Sequence, residues 1–524
     1  MSNNNSGSQN SHKSIMRSTS IISLGTLSSR VLGFVRDVIL AKLFGTGFQA
    51  DAFFVALKIP NLFRDMVGEG ATNSAIVPVF SEYLVKKERA EFWRFVSIIL
   101  TWALIVLSAI TVLGVLLAPI IVRAIAPGFM ADPGKLELTI RLTRILFPYL
   151  ILIGLTANSI AVLYTFRAFT IPAFSPCLLN VAIIISALIA PRCMAEPVYG
   201  LAFGVLAGGV LQLIVQLGPL KKAGLRLKRP KTLNHPGVSH VGKLLVPRLF
   251  GAGVYQLSVF IDTFCASLAF IVGAGGISAI YYANRIIQFP MGVFSFAIAS
   301  AALPAFSDLA TRKDIEQLKK TVMFSLENVF FVMFPTSVII MLLATPMIRV
   351  LFERGEFGTY STMITSVALF FYAIGLFSFG GIKILVAAFH ALQDTKTPVK
   401  VAAGCLLINA TLNFLLMITP LKVGGIALAS AIAATVDFLW LFALLKKRLG
   451  VENAGFGKFV ERIFWATLVT AVGVYLAWEY VVMPYEFLKI AVVGLGGLIV
   501  YEIVCCFLKV PQAEKIWQAI RSRF

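Results

Sequence analysis

Long apolar runs separated by short polar connections set the pattern of this chain, and the runs have the length of a bilayer. A helix needs about 20 apolar residues to cross a hydrocarbon core of roughly 30 Å. Runs of that order recur near Thr19–Phe44, Ala50–Leu84, Phe92–Ile125, Leu138–Tyr164, Ile171–Ala190 and Val198–Leu220. After a polar break they resume near Leu244–Val272, Ile277–Leu309, Thr321–Leu343, Ser361–Leu392, Val399–Ile418 and Gly424–Leu445. A second break leads to Ile463–Tyr480 and Phe487–Leu508. The pattern predicts an all-α polytopic membrane protein of about fourteen transmembrane helices.

The first twelve spans read as two copies of one six-helix unit. Ala75-Ile-Val-Pro78-Val-Phe80-Ser81-Glu82 matches Ala301-Ala-Leu-Pro304-Ala-Phe306-Ser307-Asp308, each closing the second span of its half. Phe53-Phe54 has its counterpart in Tyr281-Tyr282, and Cys177-Leu-Leu-Asn180 in Cys405-Leu-Leu-Ile-Asn409. Three matches in one order, about 226 to 228 residues apart, argue for duplication. Six is even, so the copies face the same way, and such repeats place substrate sites near the midplane. The predicted organisation is a disordered tail over 1–17, a first lobe over 18–220 and a basic cytoplasmic loop over 221–243. A second lobe over 244–445 and a loop over 446–462 follow. The chain closes with a C-terminal helix pair over 463–510 and an amphipathic cytoplasmic helix over 511–524, which sets Ile516, Trp517, Ile520 and Phe524 near one face.

Charge orients this body. The formal net charge is +21; in a soluble protein that would raise nucleic-acid binding. Here 58% of residues are hydrophobic and 14% charged, and the bases gather in alternate connections, so no nucleic-acid partner is implied. Lys86, Lys87, Arg89 and Arg94 follow the second span. Lys221, Lys222, Arg226, Lys228, Arg229 and Lys231 follow the sixth, and Lys446, Lys447 and Arg448 the twelfth. By the positive-inside rule both termini are cytoplasmic, which requires an even number of spans. The Ser- and Asn-rich start lacks the pattern of a cleaved signal peptide. Six scattered cysteines show no metal or redox spacing and no expected disulfide. No phosphate-binding loop, zinc motif or nucleophile elbow occurs, so no catalytic or metal site is expected.

The informative residues are charges inside spans. Arg30 and Arg36 lie in the first span with Gly33 between them, Arg64 lies midway along the second near Pro60, and Arg285 lies in the eighth. One arginine at a helix centre costs about 2.5–3.5 kcal/mol, so four facing lipid would cost on the order of 10 kcal/mol. They are therefore expected to face a wet, central cationic cavity between the lobes. Asp37 and Asp65 adjoin Arg36 and Arg64, but neighbours on a helix do not face each other; Asp51 and Glu69 are the expected partners. With Lys58, the bases outnumber these acids, which points to an anion site. Arginine's planar fork suits a pyrophosphate, giving paired hydrogen bonds with a permanent charge. Asp262, Lys383, His390, Asp437 and Glu502 are weaker candidates for ion or proton sites. Asn158, Asn180, Asn409 and Asn413 read as interhelical hydrogen bonders.

The stretch Ser29-Arg30-Val-Leu-Gly33-Phe-Val-Arg36-Asp37, then Asp51-Ala-Phe-Phe54, Lys58-Ile-Pro60-Asn61, Arg64 and Glu69-Gly70-Ala71, resembles the opening of the MurJ (MviN) family. These are lipid II flippases of the multidrug/oligosaccharidyl-lipid/polysaccharide exporter superfamily. Tyr281-Tyr282-Ala283-Asn284-Arg285 with Phe289-Pro290 resembles the family's eighth helix. The resemblance covers essentially the whole chain. It implies substrate-binding roles for Arg30, Arg36, Arg64 and Arg285, supported by Ser29, Gly33, Asp51, Lys58, Asn61, Glu69 and Asn284. It also implies that the last two spans form a groove for a polyprenyl tail. Asn284 and Gln288 stand where the family commonly has acids, which makes the cavity more cationic.

The function so implied is movement of lipid II, an undecaprenyl-pyrophosphate-linked glycopeptide, across the bacterial inner membrane by alternating access. No cofactor is implied; the membrane potential is the expected driving force, with a monovalent ion as a possible couple. Other cell-wall synthesis proteins are possible partners. Export of another polyprenyl-pyrophosphate glycan would use the same arginines. A non-transporting scaffold would gain nothing from them, and a cation antiporter would need an acidic cavity.

Overall fold

The computed structural model describes residues 4–64, 72–226, 230, 232–450 and 454–521. Side chains are described from Ser20 onward, except at positions 63–64, 72–75, 246–252, 254–255, 454 and 519–520. The described residues are helical, with no strand among them.

The chain forms two compact units, Met1–Gln256 and Leu257–Phe524. The first holds α1 (Asn4–Phe44), α2 (Phe48–Arg64), α3 (Thr72–Lys86), α4 (Arg89–Ile125), α5 (Pro133–Leu146), α6 (Tyr149–Thr165), α7 (Thr170–Cys193), α8 (Pro197–Lys222) and the start of α9 (Pro236–Ser267). The second continues through α10 (Ala269–Val272), α11 (Gly276–Pro290), α12 (Phe296–Thr311), α13 (Ile315–Leu342) and α14 (Ala344–Phe352). Next come α15 (Thr359–Ile374), α16 (Leu376–Ala391), α17 (Lys396–Met417) and α18 (Val423–Leu449). The last three helices are α19 (Ala454–Tyr480), α20 (Glu486–Phe507) and α21 (Pro511–Arg521). α1 reaches back into the segment whose composition reads as a disordered tail.

Among the described residues, ten segments are long and apolar enough to cross a membrane, or eleven when α15 and α16, bent by 47° at Gly375, count as one span. Of the about fourteen predicted spans, those of α1 and of α2 with α3 are not among them, and the one in α9 includes side chains outside the described residues. α2 and α3 are only 17 and 15 residues long, and α1 carries Arg30, Arg36 and Asp37 within its apolar run. Charge placed inside a span lowers the hydropathy by which spans are recognised.

Helix ends follow local chemistry. Gly45, at φ 54°, takes the left-handed turn that closes α1, its N–H bonded to the Ala41 carbonyl at 2.8 Å. Asp132 caps α5 by accepting from the Lys135 N–H at 3.1 Å, with Pro133 at the first helical position. Asp394 closes the turn into α17. Its carboxylate accepts from the Thr397 N–H at 3.0 Å and the Thr397 hydroxyl at 2.8 Å, and Arg448 at the end of α18 also donates to it. These bonds, the Thr397 backbone bond foremost, hold the Asp394 carboxyl below the usual carboxylate range.

Within the first unit, α7 and α8 pack through small residues. A Cβ on Gly208 would sit 2.9 Å from the Leu179 Cα, and one on Gly200 would sit 2.2 Å from the Ala190 Cβ. Gly200, Gly204 and Gly208 recur every four residues, the spacing that lets two backbones approach in a membrane. The other faces stay apolar and open: Leu116 and Ile120 on α4 are largely exposed, as lipid-facing residues would be. Positions paired by the repeat fall on corresponding helices, with Pro78 inside α3 and Pro304 inside α12, and Asn180 on α7 and Asn409 on α17.

In the second unit, α19 and α20 pack on α13 and α14 through Leu343, Val474 and Val493. α21 lies against the same body. Ala513 is buried, Gln512 donates to the Glu327 carboxylate at 2.9 Å, and the Lys515 ammonium sits 4.6 Å from the Phe324 ring centre. Ile516 and Trp517 remain exposed on it; the Ile520 side chain and Phe524 lie outside the described residues.

Candidate anion site

The first-unit arginines part company in the structure. Arg36 is 8% exposed and Asp37 fully buried. The Arg36 Nε and Nη2 donate to Asp37 Oδ1 at 3.0 and 2.7 Å, and Nη1 donates to Asn180 Oδ1 at 3.0 Å. Asn180 in turn donates to the Ser29 carbonyl at 3.1 Å. This corrects the expectation that Asp37 could not serve Arg36. Adjacent Cβ atoms do diverge on a helix, but the long arginine stem folds back over its own turn to reach the one carboxylate. In a buried setting the ion pair wins, because leaving either charge alone there is strongly destabilising. Arg36 therefore joins α1 to α7 with its charge already answered.

Arg30, six residues earlier on α1, is exposed, and no described residue forms an ion pair or hydrogen bond with it. Gly33 between them is buried, and Ser29 is half-buried. On α2, Lys58 and Asn61 are half-buried. The side chain of Arg64, and Glu69 altogether, lie outside the described residues.

Asp51, 2% exposed on α2, is paired with Lys135 of α5 at 2.7 Å. Lys135 also lies 4.3 Å from the Phe129 ring centre. Asp51 is thus paired with Lys135, a residue not among the expected partners, and not with the arginines. The available signal was Asp132-Pro133, a helix start that places Lys135 in the first turn of α5.

In the second unit, Arg285 is half-buried on α11, its Nη2 3.4 Å from the Tyr281 hydroxyl and its guanidinium carbon 5.7 Å from that ring's centre. Asn284 accepts from the Gln288 amide at 2.7 Å, so two positions where the family resemblance led one to look for acids are bonded to each other as neutral amides. Pro290 follows, and the helix then widens into a π turn over Met291–Ser295, a feature that recurs at functional sites.

A separate polar cluster joins α9, α17 and α18. Asp262 accepts from Asn413 at 2.7 Å and from the Ser430 hydroxyl at 3.2 Å, while Asn409 donates to Ser430 at 3.3 Å. Asn409 and Asn413 thus bridge helices as expected, whereas Asn158 bonds the Gly154 carbonyl of its own helix at 2.8 Å. Among the described residues, no group of three or more His, Cys, Asp or Glu could hold a metal ion.

Comparison with known proteins gives this geometry a context. The family model described as lipid II flippase MurJ matches residues 40–494. A lipid II flippase MurJ from Burkholderia cenocepacia is 36% identical over 465 residues, covering 87% of this chain and 89% of that protein. A probable lipid II flippase MurJ from Haemophilus influenzae is 36% identical over 435 residues, covering 80% and 84%. A solved structure of lipid II flippase MurJ in an inward closed conformation superposes with a TM-score of 0.78 at 28% identity, covering 93% of this chain and 98% of that one. An inward-facing conformation of a multidrug-resistance MATE family transporter of the MOP superfamily superposes at 0.62 with 17% identity, covering 80% of this chain and 95% of that one, a likeness of fold alone.

Proposed function

Because the chain belongs to the lipid II flippase MurJ family, we propose that it moves lipid II, the lipid-linked peptidoglycan precursor, from the cytoplasmic to the outer leaflet of the bacterial inner membrane. It is a multi-pass membrane protein of a transporter family. In this reading both termini are cytoplasmic and no covalent chemistry is performed.

The observation that carries the assignment of the site is the contrast along α1. Arg36 is consumed by Asp37 and Asn180, while Arg30 is exposed with no described partner. A membrane protein retains an unanswered arginine at such a level for a ligand. The pyrophosphate of the lipid carrier has the matching geometry, since two oxygens of one phosphate accept both arms of the fork. We assign Arg30 to that headgroup, with Ser29, Lys58, Asn61, Arg64 and Glu69 of the first unit in supporting positions, and assign Arg285 of the second unit, with Asn284 beside it, an anion-binding role there. Arg36, Gly33 and Asp51 have a positioning role: they hold α1 and α2 so that Arg30 is presented.

Alternating access supplies the movement, with the site opening first to one face of the membrane and then to the other. A potential negative inside favours outward passage of an anion by about 2.3 kcal/mol per charge per 100 mV. The oxygen-rich cluster of Asp262, Asn409, Asn413 and Ser430 supports a coupling role for a monovalent cation, whose binding would favour one state over the other.

The test is lipid II exposure on the outer face of cells depleted of their own flippase. The protein is expected to restore exposure, and its Arg30→Ala form, made and inserted at the same level, is expected not to. Failure of both would redirect the function to another lipid-linked glycan. Success of both would remove Arg30 from the site and leave the flippase assignment standing.

A further inference from the structure

The connection between α13 and α15 holds a cavity that the transport mechanism does not use. Its volume is about 370 Å³, and it lies wholly within the second unit. Because α13 ends one span and α15 begins the next, the connection sits where the bilayer meets water.

The cavity has two unlike ends. At its mouth, Arg349 and Glu353 come from α14 and the turn after it. The Arg349 Nη1 bonds Glu486 at the start of α20 at 3.0 Å, and its Nε lies 3.7 Å from Glu353. The Thr362 hydroxyl donates to Glu353 Oε2 at 2.7 Å, so the carboxylate is held in place rather than left to wander. Below the mouth, Leu342, Val367 and Phe370 line an apolar wall, each partly open to the outside. The lining residues on α15 recur from Thr359 to Phe371 on one face, about 18 Å of helix. A slot with a fixed charged end at the headgroup level and a long apolar flank fits an amphiphile lying along α15.

The charge at the mouth selects the headgroup. Arg349 contributes one positive charge, and Glu353 with Glu486 two negative ones. The other base of the turn, Arg354, donates to the carbonyls of Val350 and Leu351 and so faces its own helix. The charged side chains that line the cavity are thus Arg349 and Glu353, one of each sign, with Glu486 bonded to Arg349 outside the lining. An anionic headgroup without an ammonium would leave Glu353 unmatched there. A zwitterion with a primary ammonium is matched at both poles, its ammonium donating to Glu353 and its phosphate accepting from the N–H groups of Arg349.

We propose that this cavity is a specific site for one aminophospholipid of the phosphatidylethanolamine type, distinct from the transported lipid. A quaternary choline headgroup lacks the N–H donors that Glu353 would accept, and a glycerol headgroup lacks the positive charge. The site is independent of the transport reading, because it is defined by lipid retention and not by flipping.

The test uses the purified full chain, exchanged into equimolar phosphatidylethanolamine, phosphatidylcholine and phosphatidylglycerol of matched acyl chains and examined by native mass spectrometry. One phosphatidylethanolamine per chain is expected to be retained over the other two by about tenfold, the effect of a charge-assisted hydrogen bond. Glu353→Gln is expected to abolish that preference, and Arg354→Gln, in the same turn but turned to its own backbone, to keep it. Met363→Trp leaves the charges and narrows the cavity at an exposed wall residue, so retention is expected to fall there even if the Glu353 variant proves unstable. Equal retention of the three lipids would mean annular lipid only and would overturn the proposal. So would an unchanged preference in Glu353→Gln, or displacement of phosphatidylethanolamine by a polyprenyl phosphate.

Discussion

The Arg36 guanidinium donates from one edge to Asp37 Oδ1 and from its remaining terminal nitrogen to Asn180 Oδ1 at 3.0 Å, so one side chain ties α1 to itself and to α7. Arg30, on the same helix, has no described tie of this kind. The two arginines should fail differently. Arg36→Ala breaks a buried ion pair and is expected to cost about 3–5 kcal/mol, read as loss of folded, detergent-stable protein. Arg30→Ala is expected to leave the melting profile unchanged and to remove transport. Equal thermal loss in both variants would contradict this division.

Asp51 and Lys135 form a second buried ion pair in the first unit. Asp51→Asn and Lys135→Met are each expected to lower the unfolding midpoint strongly, because each breaks a buried ion pair. The double variant is expected to lose less than the sum, with a coupling on the order of 1–3 kcal/mol in a double-mutant cycle. Simple additivity would show that the pair contributes nothing as a pair.

The α7–α8 contact allows no side chain at Gly208, where a Cβ would lie 2.9 Å from the Leu179 backbone. Gly208→Val is expected to destabilise by about 1–3 kcal/mol through overpacking. Gly218 on the same helix has open space at its Cβ. Gly218→Ala is expected to be neutral or slightly stabilising, which thermal unfolding of both variants would check.

Asp394 gives a pH signature on the loop side of α17. Its folded-state carboxyl titrates below its unfolded value. The stabilisation is therefore present above about pH 4 and is lost as pH falls through the lower folded value. Asp394→Ala is expected to lose about 1 kcal/mol at neutral pH, typical of a missing cap. It is also expected to show a shallower decline in stability on acidification. Parallel acid curves for the two proteins would rule the carboxylate out as the cause.

Asp262 is the residue through which a coupling cation would act. Asp262→Asn is expected to make flipping by reconstituted protein indifferent to exchange of sodium for potassium or choline. A wild-type protein already indifferent to that exchange would remove the ion from the cycle.

The sequence by itself determined the helical membrane body and the family and pointed to a duplication, and the reason is periodicity and charge. Runs of bilayer length cannot be read as anything else, and Pro78 with Pro304 or Asn180 with Asn409 recur in order without any need for coordinates. It also located the unusual charges, because an arginine within an apolar run stands out against its neighbours. What it could not decide was which of those charges was spoken for. Spacing on a helix gives the direction of a Cβ, and by that measure Asp37 was turned away from Arg36. The fold brought Asn180 within 3.0 Å across 144 residues and buried the group, and burial made the short-range pairing the favoured one. Asp51 met Lys135 for the same reason, through a contact 84 residues distant. Tertiary structure alone settled these partners, since the energy of a buried charge depends on what surrounds it and not on where it lies along the chain.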